Sequence, residues 1–173
     1  MTSRIDPLSL RPDACAVSPA EHRDLMSMFP TGVSVVTVAD DHGGPQGMTC
    51  TSLASISLRP PILMVSLRRG SATLAAVRRH GHFAVNLLHA RSQPVAEVFA
   101  GPEPDRFARV RWEPSAVTGQ PWLVDDSVAH ASCRVRSASV VGDHELVLGE
   151  LCEVRCTAEH PLLYGMRRFS VWT

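Results

Sequence analysis

Residues 129–156 read AHASCRVRSASVV, then GDH, then ELVLGELCEVRC. Two long stretches, 129–141 and 145–156, flank Gly142-Asp143-His144, a short glycine-containing turn of the kind that joins antiparallel strands. This pattern extends upstream. Residues 33–38 (VSVVTV) are rich in β-branched side chains. Residues 46–51 follow His42-Gly43-Gly44-Pro45, which reads as a hairpin turn. Residues 62–67 and 83–88 are short apolar runs of strand length. Residues 169–172 read as a last strand closing the sheet.

Helices are few and short. Ser18-Pro19-Ala20-Glu21 is a capping box with proline in the first turn. The helix it starts carries Leu25, Met26, Met28 and Phe29 and stops at Pro30. Ser71 caps a second helix over 71–80, with Arg78 and Arg79 in its last turn and Gly81 as its stop. A third covers 92–100, and 106–126 reads as irregular. Many strands with short helices between them predict a mostly β fold, an antiparallel barrel with peripheral α-helices. No G-x-G-x-x-G follows a strand, which argues against a doubly wound dinucleotide-binding sheet.

The 173 residues suit one domain. Residues 1–18 read as a flexible leader without the apolar core of a secretory signal, and 19–173 as the domain. Lys plus Arg and Asp plus Glu both number 17, so no net field gathers nucleic acid or an acidic membrane. No apolar run approaches the ~20 residues of a spanning helix. Cys15, Cys50, Cys133, Cys152 and Cys156 are odd in number and lack a C-x-x-C pair. They read as reduced thiols in a cytoplasmic protein, with neither a disulfide frame nor a metal site.

Four groups of residues stand out chemically. Thr49-Cys50-Thr51-Ser52, with Ser55 and Ser57, offers small donors and accessible backbone N–H groups to a flat heteroaromatic ring and a polyol tail. A Ser/Thr-rich edge strand has the same composition. Arg68-Arg69-Gly70-Ser71-Ala72-Thr73 opens a helix whose N-terminus suits a phosphate, or is an ordinary cap beside solvated arginines. His144 sits in a tight turn, as surface decoration or as a ligand-orienting group. Tyr164 and Arg167-Arg168-Phe169 place paired arginines where they hold a pyrophosphate or carboxamide, or are simply solvated. No G-x-S-x-G elbow or paired-carboxylate arrangement appears, so the chemistry points to positioning a cofactor.

In this order the motifs resemble the short-chain flavin reductase family, reductase components of two-component flavin-dependent monooxygenases. The matching residues begin with Met28-Phe29-Pro30-Thr31-Gly32-Val33 and Gly47-Met48-Thr49-Cys50-Thr51-Ser52. Ser71-Ala72-Thr73, Phe83-Ala84-Val85-Asn86, Asp105-Arg106-Phe107, Gly142-Asp143-His144 and Arg167-Arg168-Phe169 continue the series. The resemblance implies a split β-barrel, a homodimer with flavin near the subunit interface, and hydride transfer from NADH or NADPH to FMN or FAD. It implies that Thr49, Cys50, Thr51 and Ser52 line the flavin and that Ser71, Thr73 and Arg69 hold its phosphate, with Asn86 near that end. It also implies that His144 and Arg168 place the nicotinamide, with His144 as the one catalytic residue, and that a partner monooxygenase receives the reduced flavin. Two other readings stay open: a tightly bound flavin serving another acceptor, and a flavin- or haem-binding module without turnover.

Overall fold

The computed structural model describes residues 17–40 and 44–172. The leader at 1–18 and the turn at 42–45 lie largely outside the described residues. The elements in chain order are α1 (Pro19–Ser27), β1 (Thr31–Gly32), β2 (Ser34–Val38), β3 (Gln46–Cys50), β4 (Leu53–Leu58), β5 (Pro61–Arg68) and α2 (Ala72–His80). They continue with β6 (His82–Leu88), α3 (Gln93–Ala100), β7 (Glu113–Pro114), β8 (Pro121–Trp122), β9 (Ser127–Val141), β10 (His144–Cys156), β11 (Leu162–Gly165) and β12 (Arg168–Val171).

Seven strands form one sheet in the order β3-β2-β6-β9-β10-β5-β4, every ladder antiparallel. Its end strands β3 and β4 are joined by Thr51 and Ser52 alone. Three extended residue steps span at most about 11 Å, so the two ends of the sheet must meet. The Ser52 hydroxyl donates to the Ser66 carbonyl on β5 at 3.1 Å and ties that seam. The sheet therefore curls into a barrel, as the sequence predicts.

Strand β2 is buried along its whole length. Val36 and Val38 face a core shared with Val65, Leu67, Phe83 and Leu74 of α2. Val33 and Val35 face a second core with Leu88, Phe99 of α3, Leu123 and Leu162. A strand covered on both faces needs a near-continuous apolar run, which 33–38 supplies. Gly149 is required where β10 crosses Phe83, because an added Cβ would come within 2.5 Å of the ring.

The structure corrects three expectations. Of residues 52–57, left without an element, all but Ser52 belong to strand β4, with a register shift between Ser55 and Ser57. The C-terminal strand does not close the barrel; β12 pairs with β11, and β11 with β1, in a separate three-stranded sheet. His144 is the first residue of β10 rather than part of the turn, and its cross-strand partner on β5 is Arg68. The span 106–126 holds a 3-10 turn at Arg106–Arg109 and the short β7–β8 ladder.

Candidate functional site

The main cleft, of about 790 Å³, runs between α2 and α3 across β3. Strand alternation sorts the Thr49–Ser52 cluster. Thr49 and Thr51 face the cleft, while Cys50 turns into the core at 5% exposure. The Thr49 hydroxyl donates to the Ala96 carbonyl of α3 at 2.7 Å, which ties β3 to α3 and holds that side chain in place. Gly47 also lines the cleft. A Cβ there would fall 2.9 Å from Phe99 Cε1, so only glycine lets the strand lie flat against that ring.

The cationic end of the cleft is the start of α2. Gly70 takes φ +79 and turns the chain from β5 into the helix. Ser71 then caps it, its hydroxyl accepting Leu74 N–H at 3.2 Å. Ser71, Ala72, Thr73 and Arg68 line the wall. First-turn N–H groups lack intrahelical acceptors, and the helix dipole adds positive character. Two hydroxyls, such N–H groups and a guanidinium on one wall have the chemistry that suits a phosphate.

The opposite wall is a strap over 101–107 held by Arg106. Its guanidinium donates to the carbonyls of Gly47 at 2.7 Å, Glu103 at 2.9 Å and Gly101. Phe107 stands edge-on between Phe99 and Trp112, with centroids 5.2 and 6.0 Å away. Tyr164 and Phe169 of the small sheet close the far end.

A second cleft of about 610 Å³ adjoins the first, and Thr51 and Tyr164 line both. Ser52 faces this second cleft, with Leu53, Ala54, Met64, and Met26 and Phe29 from the α1 region. His22, Arg23 and Arg167 contribute cationic groups.

Thr49, Thr51, Ser71 and Thr73 thus meet in the main cleft, and six other expected residues do not, Ser52 lining the second cleft instead. Cys50 is a core thiol, 3.3 Å from the Ser52 hydroxyl. Asn86 is fully buried on β6, and its amide is consumed internally. Its Nδ2 donates to Val35 O and Thr37 Oγ1 at 3.1 and 2.9 Å, and its Oδ1 accepts Leu123 N–H at 2.9 Å. It braces β2, β6 and the β8 region rather than reaching a ligand. Arg69 turns from the main cleft to the Gly142 carbonyl, and Arg68 takes its place. His144 lines neither cleft. It lies cross-strand from Arg68, its Nδ1 2.9 Å from Asp143 Oδ1, and that bond holds the Asp143 carboxyl below its ordinary value. Arg168 is exposed and outside both clefts, while its neighbour Arg167 lines the second.

Sequence reasoning put Arg68 at the helix start but gave the phosphate to Arg69, and it named Tyr164 and Gly47 without placing them on the wall of the main cleft. Alternation in β5, with Leu63, Val65 and Leu67 inward, was the available signal for Arg68. A lone amide in the apolar run 83–88 was the signal that Asn86 is a buried brace.

A curled antiparallel sheet with a hydroxyl- and arginine-lined helix start beside a flat, aromatic-flanked wall is the architecture of a barrel with one main cleft. The chain belongs to the flavin reductase family: the flavin reductase-like domain model matches residues 26–173. A flavin reductase (NADPH) of Lentzea aerocolonigenes is 60% identical over 91% of this chain and 92% of its own length. A reductase subunit of a flavin-dependent monooxygenase from Rhodococcus jostii is 36% identical, over 90% of this chain and 78% of its own. The solved NADH:FAD oxidoreductase of Streptomyces globisporus, in complex with NAD and FAD fragments, superposes with a TM-score of 0.85. That match is 31% identical and covers 92% of this chain and 98% of the other. The fold is the split barrel of these flavin reductases, and the chain is an oxidoreductase that transfers hydride to flavin.

Proposed function

We propose that the main cleft holds FMN or the FMN portion of FAD, and that the chain reduces it with NADPH or NADH for a separate monooxygenase. The carrying observation is the convergence of Ser71, Thr73 and Arg68 at one end of a cleft walled by Thr49 and Thr51. This donor set suits a ribityl phosphate, and the bare Gly47 strand beside Phe99 suits a planar ring. When bound, the flavin supplies the ring that accepts the hydride of the nicotinamide.

The chain's own residues then have three tasks. Ser71, Thr73 and Arg68 neutralise and anchor the phosphate. Thr49, locked on the Ala96 carbonyl, and the backbone of β3 orient the ring system. Phe99, Phe107, Tyr164 and Phe169 keep water from the reacting faces. Hydride carries its own electron pair, so no side-chain base is needed for the transfer. His144, beside Arg68 at the cradle's edge, tunes that end of the cleft.

The functional unit in this reading is a homodimer of the 19–173 domain. Helix α1 buries none of its residues within the chain, and Leu25 and Phe29 are 69% and 63% exposed. Such an apolar face beside the second cleft suits a second copy. A reducing cytoplasm fits the four free cysteines among the described residues, with burial pushing the Cys133 thiol up to about 12. No helix among the described residues is long and apolar enough to cross a membrane. The R. jostii relative's name supports a monooxygenase as the recipient.

The test mixes purified protein with NADPH or NADH and with FMN, FAD or riboflavin, following nicotinamide absorbance. Oxidation is expected with at least one pairing. No oxidation with any pairing overturns the reading.

A further inference from the structure

We infer that Arg78 and Glu145 are positioning residues for the flavin phosphate: their ion pair fixes the rotation of α2 and so aims its Ser71–Thr73 start. This rests on the main cleft being the flavin site, with the phosphate at the start of α2. The pair touches neither cleft and acts only through the helix.

Glu145 stands where an apolar residue is expected. It shares the inward row of β10 with Val147, and the two are 2% and 0% exposed. Taking a carboxylate out of water costs about as much as its ion pair returns, so a well-packed apolar pair would stabilise the fold equally well or better. Geometry rather than stability is what the charged pair supplies. Arg78 Nε donates to Glu145 Oε2 at 3.1 Å, and its Nη2 donates to Oε1. A fork that engages both oxygens sets direction as well as distance.

Helix α2 needs such a constraint. Its apolar side chains Leu74, Ala76 and Val77 dock on the barrel, and apolar burial is non-directional. Arg78 lies seven residues beyond Ser71, two turns along the same face, which is about 10 Å of helix. A rotation allowed at Arg78 is therefore passed along the helix to Ser71. The other end of the helix is referred to the same hairpin. Arg69 N–H donates to the Asp143 carbonyl at 2.9 Å, and its guanidinium reaches the Gly142 carbonyl at 3.4 Å. Arg79, about 100° further round the helix, pairs with Asp40 just beyond β2 at 2.8 Å. Two directional ties fix the rotation, whereas one leaves a pivot.

FMN and riboflavin differ only in the phosphate, so their equilibrium Kd values, read by flavin fluorescence without a hydride donor, isolate its contribution. The variants are Arg78→Gln, Arg78→Lys, and Arg78→Met combined with Glu145→Leu, which removes the buried charge without stranding it. Arg78→Gln and the double variant are expected to raise the FMN Kd by about five- to ten-fold, with the riboflavin Kd within about two-fold. Arg78→Lys, which keeps the charge but not the fork, should fall between Arg78→Gln and wild type. A wild-type FMN Kd in Arg78→Gln or in the double variant overturns the inference, the pair then serving stability alone. FMN and riboflavin Kd values that rise together also overturn it. If the double variant does not fold, the two single variants decide. Ser71→Ala separates the underlying reading. A selective loss of FMN there, with none in the pair variants, overturns the inference and leaves the phosphate site standing. Equal affinity for FMN and riboflavin in wild type, unchanged in Ser71→Ala, overturns the phosphate site and the inference with it.

Discussion

Helices α1 and α2 are each nine residues long, and each begins on a serine whose hydroxyl accepts an N–H three residues on. The two cap bonds, to Glu21 N–H and Leu74 N–H, are both 3.2 Å. Their fates differ. Helix α2 buries Thr73, Leu74, Ala76 and Val77 against the barrel, and its last turn is clamped by Arg78 to buried Glu145 on β10. Helix α1 buries nothing within the chain. Isolated helices below about 12–15 residues are marginal in water. Capping alone therefore does not explain the order of α1, which is also tied to the β11–β12 turn by Met166 N–H on the Ser27 carbonyl and by Arg167 on Asp24; the proposed second copy would add the apolar contact it lacks. The rigid helix presents its start to the main cleft, and the exposed one walls the second cleft.

The widest gap between the helices should appear in stability. Leu74 is 2% exposed, so Leu74→Ala should cost about 2–5 kcal/mol through lost burial and a cavity. Leu25→Ala should change protomer stability by less than about 0.5 kcal/mol. Denaturant unfolding at low protein concentration measures both, and equal losses would show that α1 is docked after all. The association of copies comes next. Leu25→Asp with Phe29→Asp should weaken a dimer by at least about 3 kcal/mol, read by sedimentation, while secondary structure persists. A dimer that survives this change places the interface elsewhere.

The caps distinguish the helices more finely. Ser18→Ala and Ser71→Ala should each cost about 1 kcal/mol of helix stability. Only Ser71→Ala should also raise flavin KM several-fold, because only that serine faces the main cleft. A matching rise in Ser18→Ala would remove the asymmetry. The smallest effect is in acid. Hydrogen bonds from Ser18, the backbone N–H first, hold the Glu21 carboxyl below its ordinary value. A lowered folded value stabilises the ionised form, so its support for α1 is complete above the unfolded value and is lost as pH falls through the folded one. Helix α2 has no acidic residue in its first turn. Amide chemical shifts followed from neutral to about pH 3 should show Glu21 N–H moving while Leu74 N–H holds. Parallel movement would contradict the assignment.

Legibility in the sequence follows the range of the interactions. Helix α2 was readable from Ser71 to Gly81 because a side-chain cap and a left-handed stop, φ +67, are local events. The β9–β10 hairpin was readable from its turn and flanking runs. Strand β4 was not, because its serines and register shift hide the alternation. The 169–172 strand was recognised, but its sheet was not. It reaches β1 through β11, over more than a hundred residues of intervening chain. In the site, Thr49, Thr51, Ser71 and Thr73 were legible as small donors on a strand and a cap. Asn86, Cys50 and Arg69 were assigned to the same cluster because composition does not say which way a side chain faces.

By itself the sequence determined the β-rich class, the helix starts and stops, the family and the small donors that line the start of α2. These depend on backbone sterics, hydrogen bonds a few residues long and ordered motifs. Tertiary structure alone decided that β3 and β4 meet, that Arg68 rather than Arg69 lines the main cleft, and that Asn86 is a brace. It alone set a second cleft, with Arg167 on its rim, beside the first. Those outcomes turn on strand phase, sheet closure and burial, which arise only when segments distant in sequence compete for the same interior.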